Sequence, residues 1–295
     1  MELCWDDLKT ILHIVRAGRL NVAASKLGLN YTTLARRVDR AEAALGLKLF
    51  ERMKDGYRPT DTARLIAEKA QRMEAEENAL FRELQGRDQT LHGPFTITAP
   101  QLLIQWHLVH VIDKFCASHP DVELRVNAAN DLLDLTARQA DLAIRISNDP
   151  GDTLIGRRLT AQHTASFASP DVAQRLQAQP EAPVDWILYS KAPGIPAASL
   201  QTFPDASVRA RFDDMVSMVG AAIAGLGVVR MPVFLGRATP GLVQVPVLPP
   251  QPYADIWVVG HPDVWPSAKA AAFRAYLVDY FRDNRGVFTD DAATA

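Results

Sequence analysis

Residues 23–58 read AASKLGLNYTTLARRVDRAEAALGLKLFERMKDGYR. Ala23, Ala24 and Leu27 lie on one apolar helical face, and Gly28 ends that helix as its C′ residue. Asn30 offers a short acceptor side chain, the N-cap signature of a following helix. In that helix Leu34, Val38, Ala41 and Leu45 recur on the inward side. Its other face carries Tyr31, Thr32, Thr33, Arg36, Arg37 and Arg40, and Gly46 closes it. The next residues, KLFERMKDGYRPT, set an Asp-Gly pair between two extended segments, a hairpin signal. The hairpin arms carry Arg52, Lys54 and Arg58. A short helix, a tight turn, a capped basic helix and a basic hairpin form the layout of a winged helix-turn-helix, which presents one helix to the DNA major groove.

Upstream, Leu8, Ile11, Leu12 and Val15 predict a helix over Asp6–Ala17, ended by Gly18. Asn21 is the expected N-cap of the next helix. Charge supports a local nucleic-acid surface. Twelve Lys and Arg stand against eight Asp and Glu through residue 64, whereas the whole chain carries −2. With 295 residues, 48% hydrophobic and 22% charged, the chain has the composition of a globular protein of two or three packed units. Cys4 and Cys116 form no CxxC or metal-ligand spacing and read as reduced thiols. The start MELCWDDLKT lacks the apolar core of a signal peptide, so a cytoplasmic protein is expected. The most apolar run, Val219–Leu235, is broken by Gly225, Gly227, Arg230 and Pro232 and reads as buried helix plus strand, with no membrane partner.

From Asp61 to Gln85 there is neither proline nor glycine. Ala63, Ile66, Ala70, Met73, Glu77, Leu80 and Leu84 repeat at 3-4 spacing, a heptad seam with one acidic interruption. A helix of about 25 residues, roughly 37 Å long, suits pairing of two chains into a homodimer through residues 61–85, the alternative being a surface helix packed on its own domain. GRDQTLHGP, residues 86–94, is a linker. Beyond it strands and helices alternate. FTITAP, VELRVNA, DLAIRI, TASFASP, DWILY, VRARF, GVVRMP and ADIWVVG read as strands. Residues 102–118, 132–139, 215–224 and 267–281 read as helices. The expectation is an open, mostly parallel α/β sheet in two lobes with a cleft between them.

These residues carry a family likeness. The stretch 5–64 resembles the N-terminal domain of LysR-type transcriptional regulators. The family pattern is met at Ala23, Ala24, Leu27, Asn30, Arg36, Val38, Glu42, Leu45, Gly46, Leu49, Phe50, Arg52 and Thr60. It is not met at Tyr31, Ala35, Ala41 and Pro59, where glutamine, serine, leucine and leucine are usual, so the base-reading set is unusual. The later segments TAP, DLAIRI, ASP and AGLGVVRMP resemble that family's ligand-binding domain. The resemblance implies an α/β fold class with an all-α N-terminal part. It divides the chain into a winged helix-turn-helix at 1–60, a dimerisation helix and hinge at 61–92, and a two-lobed, periplasmic-binding-protein-like effector domain at 93–295. It implies double-stranded DNA with an interrupted inverted repeat as partner, a small-molecule effector, a homotetramer built from two dimers, and RNA polymerase as a further partner. No cofactor is implied beyond the effector.

Carried onto this sequence, the DNA-binding set is Asn30, Tyr31, Thr32, Thr33, Arg36, Arg37, Arg40, Arg52, Lys54 and Arg58. The effector set is Pro100, Gln101, Leu102, Asn130, Ile146, Phe167, Met215 and Arg230. Arg230 interrupts an apolar strand, either as a fixed cation facing an acidic ligand or as a side chain that reaches solvent or pairs with Asp213 or Asp214. His107 and His110 lack the further ligands a metal needs, and Trp5 and Trp257 read as packing residues. A G-x-S-x-G elbow, a P-loop and a G-x-G-x-x-G loop are absent, so the residues offer no support for an α/β enzyme. A solute-binding protein with a fused helical segment would not need the basic module.

Overall fold

The computed structural model describes residues 3–53, 56–128, 140–149 and 153–290. The chain forms two compact units, Met1–Glu83 and Leu84–Ala295. In the first, α1 (Trp5–Ala17), α2 (Leu20–Lys26) and α3 (Tyr31–Leu45) precede a hairpin of β1 (Phe50–Met53) and β2 (Gly56–Pro59), then α4 (Asp61–Arg87). The apolar positions spaced for helices converge on one core of Ile11, Ile14, Leu20, Ala23, Leu34, Val38 and Leu49. Each fully buried Leu, Ile or Val side chain there contributes about 1.5–3 kcal/mol. Gly18 and Gly46 end α1 and α3 in the left-handed region, at φ +66°.

Two sequence expectations shift here. Asn21 is not the cap of α2. The helix begins at Leu20, whose side chain is 3% exposed in the core, and Arg19 is the N-cap without a side-chain bond. Asn21 Oδ1 instead accepts from the Val22 backbone N–H at 3.0 Å. The expected hairpin forms, and Gly56 sits off its centre, paired with Met53 inside the ladder. Its lack of a side chain serves close approach. A Cβ there would lie 2.5 Å from the Gly18 carbonyl oxygen, which also accepts from Tyr57 N–H at 3.0 Å.

The apolar residues of α4 divide between two tasks. Ala67 and Ala70 pack against Leu12, with Trp5, Leu8 and Val15 alongside. The acidic interruption belongs to this inward face. Glu77 accepts from the Trp5 indole N–H at 3.1 Å and pairs with Lys9 at 2.6 Å, one helical turn beyond the Glu74–Arg16 pair at 2.7 Å. Met73, Leu80, Phe81 and Leu84 are 45%, 55%, 42% and 55% exposed.

The second unit contains β3 (Gly93–Ala99), α5 (Gln101–Leu103), α6 (Val109–Ser118), β4 (Val122–Ala128), β5 (Leu142–Ser147), β6 (Ile155–Ala168), α7 (Pro170–Ala178), β7 (Asp185–Tyr189) and α8 (Ala197–Thr202). It continues with β8 (Ser207–Phe212), α9 (Met215–Ile223), β9 (Val228–Pro232), α10 (Val233–Ala238), β10 (Val243–Gln244), β11 (Gln251–Gly260), α11 (Ala268–Asp283) and α12 (Arg285–Phe288). The expected helix over 132–139 lies outside the described residues.

Among the described residues the strands join one sheet of order β4-β3-β5-β11-β6-β9-β7-β8, with β10 on β6. The sheet is mixed rather than mostly parallel. β4-β3-β5 and β9-β7-β8 are parallel sets, and the long strands β6 and β11 join them in antiparallel pairing. The first half of β6 lies beside β11 where β11 meets β5, and its second half pairs with β9. Two strands therefore run through both lobes, with a register shift between Tyr253 and Ile256 midway. Gln162 Nε2 donates to the Ala254 carbonyl at 2.6 Å across that shift. One face carries the main core, from Phe95 and Leu103 through Phe167 and Met231 to Phe273 and Phe288.

A π-helical turn, Ile104–Leu108, joins α5 to α6. It seats His107 in the core at 6% exposure, between Phe234 and Phe288, with Nδ1 2.9 Å from the Tyr280 hydroxyl. Burial holds its pKa down at about 4, so the ring is neutral at pH 7. His107 is a packing residue. Among the described residues no group of three or more His, Cys, Asp or Glu is placed to hold a metal ion. No helix among them is long and apolar enough to cross a membrane.

Candidate functional site

In the first unit the candidate surface is built on α3. Asn30 Oδ1 accepts from Thr33 N–H at 2.8 Å and from Thr32 Oγ1 at 2.9 Å, so Asn30 shapes the start of the helix. Leu34, Val38 and Ala41 turn inward, which leaves Thr32 and Arg36 on the outward face. Arg36 is exposed and has no carboxylate partner among the described residues. Tyr31 is 52% exposed near Tyr57 of the hairpin, and burial first, then the neighbouring Tyr31, raises the Tyr57 pKa.

Arg37 and Arg40 behave differently from Arg36. Arg37 pairs with Asp6 at 3.1 Å, and Arg40 is bound to Asp7. Asp7 is 4% exposed and also accepts from Cys4 N–H at 3.2 Å and Cys4 Sγ at 3.1 Å, closing a capping box at the start of α1. Burial raises the Asp7 pKa, but the bonds from Arg40 and Cys4 outweigh it and hold the carboxylate below its ordinary value. These two arginines tie α3 to α1. On the hairpin, Arg52 is exposed 3.7 Å from Asp39, and Arg58 is exposed opposite Glu51. Lys54 lies outside the described residues.

The second unit brings two sets of strand ends together. β6 runs from the first lobe into the second, β3 and β5 run with it, and β7 and β9 run against it. The carboxyl ends of the two parallel sets therefore point toward each other, the position where open α/β sheets take ligands. Pro100 and Gln101 follow the end of β3, and Gln101 is exposed while Leu102 packs partly on the core. Ile146 is near the end of β5 and Met215 starts α9, each half-buried. The Asp214 carboxylate caps α9 by accepting from Ser217 N–H at 2.8 Å.

Phe167 does not line this opening. It is 1% exposed in the main core, and its ring lies so close to Gly236 that a Cβ there would be 2.4 Å away. Asn130 lies outside the described residues. Arg230 pairs with neither Asp213 nor Asp214. It is half-buried among neutral oxygens of Thr164, Pro249 and Gln251. Sequence reasoning missed Tyr189 and Tyr253, 40% and 51% exposed, which together with Asp214 stand close enough to interact electrostatically. Burial first, then these neighbours, raises the Tyr189 pKa. Tyr189 ends β7, and a strand-terminal tyrosine was the available signal.

Comparison with known proteins agrees with this geometry. Residues 5–64 match the model of the bacterial regulatory helix-turn-helix protein, lysR family, and residues 88–282 match the LysR substrate binding domain. The Mau operon transcriptional activator of Paracoccus denitrificans is 30% identical over 155 residues, 52% of this chain and 54% of that one. The HTH-type transcriptional regulator PtxR of Pseudomonas aeruginosa is 31% identical over 168 residues, 56% of this chain and 53% of that one. The chain thus spans about half the length of the curated relatives it matches. Among solved structures, the full-length Vibrio cholerae virulence activator AphB shares the fold at a TM-score of 0.60 and 20% identity, over 95% of this chain and 100% of that one. CrgA of Neisseria meningitidis does so at 0.55 and 19%, over 95% and 99%. The chain belongs to the LysR family of bacterial transcriptional regulators.

Proposed function

We propose that this chain is a DNA-binding transcription regulator that answers to a small molecule and acts in the cytoplasm. The observation that carries the reading is the outward face of α3. A capped, glycine-terminated helix exposes Thr32 and Arg36, which has no carboxylate partner among the described residues, beside a hairpin that exposes Arg52 and Arg58. In this reading residues 1–60 hold the DNA. Tyr31, Thr32, Thr33 and Arg36 face base edges and phosphates, and Arg52 and Arg58 lie along the neighbouring backbone. Asn30, Arg37 and Arg40 hold the helix at its angle.

Residues 61–92 form the pairing helix and hinge. The exposed apolar side chains Met73, Leu80, Phe81 and Leu84 support a homodimer, which matches the two halves of an interrupted inverted repeat. Two dimers form the tetramer, and RNA polymerase is the partner on which the regulator acts. Residues 93–295 take the effector between the facing strand ends. Pro100, Gln101, Leu102, Ile146 and Met215 supply amide and apolar contacts, and Tyr189 and Tyr253 add hydroxyls. Ligand binding changes DNA occupancy to the extent that the effector prefers one assembly state over another.

A salt titration tests the DNA half of the proposal. Binding of the full chain to a fluorescent duplex is expected to weaken linearly on a log–log scale, with a slope of about −0.9 for each phosphate neutralised. Affinity independent of salt, or no binding at low ionic strength by folded protein, would refute it.

A further inference from the structure

On β6 and β9 the residues Ala165, Phe167, Val229 and Met231 point into the main core. The alternate residues point the other way. Register places Ser166 opposite Arg230 and Thr164 opposite Gln251, so all four share this second face. Arg230 Nε donates to Thr164 Oγ1 at 3.1 Å. Its Nη2 donates to the Pro249 carbonyl and Gln251 Oε1, each at 3.1 Å, and to the Thr164 carbonyl at 3.4 Å. Every one of these acceptors is neutral.

The other end of the guanidinium is unsatisfied. Arg230 Nη1 is buried and has no hydrogen-bond partner among the described residues. Ser166, fully buried directly across the ladder, has the same deficit at Oγ. Leaving a buried guanidinium donor and a buried hydroxyl unpaired is costly, more so for the donor that carries charge. Burial accordingly lowers the Arg230 pKa. A water molecule could accept from both groups but would leave the positive charge uncompensated. A monoanion satisfies both donors and the charge together.

We propose that Arg230 and Ser166 form a binding site for a small monoanion, a halide or the carboxylate of a short acid, held by Arg230 Nη1 and Ser166 Oγ. The site belongs to the second lobe and is distinct from the contacts assigned above to the effector. Pro249 and Gln251, which hold the other end of the guanidinium through Nη2, are exposed. Size is restricted because Ser166 is fully enclosed, and single charge matches the single guanidinium. Because Arg230 already ties β9 to β6 and to the start of β11, an anion there braces the strands that run through both lobes.

The test uses the full chain and needs no DNA, so its failure is separable from failure of the regulator reading. Thermal melting is followed in sodium bromide and, at equal ionic strength, in the bulky sulfonate MES. Bromide-soaked crystals are measured at the bromine edge. The midpoint is expected to rise with bromide beyond its value in MES, with an anomalous peak in contact with Arg230 Nη1 and Ser166 Oγ. Loss of that peak in excess acetate assigns the site to carboxylates, and its retention assigns it to halides. Ser166→Ala should need about tenfold more bromide for the same shift, and Arg230→Leu should lose the shift. Identical melting in both salts with only water at the site overturns the proposal, as does a wild-type bromide response in both variants.

Discussion

Arg36→Ala is expected to lower affinity for the operator by about tenfold to a hundredfold, the range for losing one well-placed arginine contact to a base or phosphate. The melting midpoint should stay where it is, because Arg36 is exposed and pairs with no carboxylate among the described residues. Arg40→Ala, one turn along the same helix, should give the reverse pattern. It strands the 4% exposed Asp7 carboxylate and loosens α3 from α1, so the midpoint falls. Fluorescence anisotropy on the operator and calorimetry on the same samples separate the two effects. Equal losses of affinity with unchanged melting in both variants would show that Arg40 leaves Asp7 for the DNA. An Arg36→Ala protein that binds as wild type would remove the outward face of α3 from the interface.

Leu80→Glu should convert the proposed dimer into monomers. The expected loss of affinity for a two-half-site operator is about a hundredfold or more, because the second half-site is no longer bound intramolecularly. Affinity for an isolated half-site should hold, and so should helicity, since Leu80 is 55% exposed and contributes nothing to the N-terminal core. Sedimentation velocity and half-site anisotropy provide the check. A dimer that survives the added charge, with full operator affinity, would mean that this stripe is not the pairing surface. The corresponding change at Ala70 is uninformative for pairing, because Ala70 is buried against Leu12 and its loss would unfold the domain.

That contrast marks where the sequence was legible. The 3-4 spacing of α4 located the helix, and a periodic pattern cannot say which helix its apolar face meets. Ala67 and Ala70 meet α1, and Glu77, an anomaly in a coiled-coil seam, has its explanation in Trp5 and Lys9, seventy residues away. The helix-turn-helix was legible because its signals are local, with Asn30 as a cap and Gly46 as a left-handed stop. The arginines of α3 were not separable by pattern. Arg36, Arg37 and Arg40 are chemically alike, and only the packing of α1 gives two of them acidic partners.

In the α/β part, most short apolar strands were recognisable, whereas the lengths of β6 and β11 were not. The first residues of β6, IGRRLT, are largely exposed and polar, so no alternation marks them as strand. They nonetheless pair along β11 and create the two-lobed arrangement. α7 was hidden behind a strand-like reading of TASFASP, although Ser169 followed by Pro170 is a helix start and Ser169 Oγ caps Val172. The ligand side was harder still. Phe167 and Arg230 lie on opposite faces of neighbouring strands, one in the core and one beneath the 249–251 segment, and a family pattern alone does not distinguish the faces.

Selection from a library of random DNA duplexes with the purified full chain tests the central claim most directly. An interrupted inverted repeat whose two halves are bound together is expected to be enriched, with enrichment sharply reduced in Arg36→Ala at matched protein concentration. A library that returns unenriched from folded wild-type protein at low salt, or that yields a single asymmetric site, would contradict it.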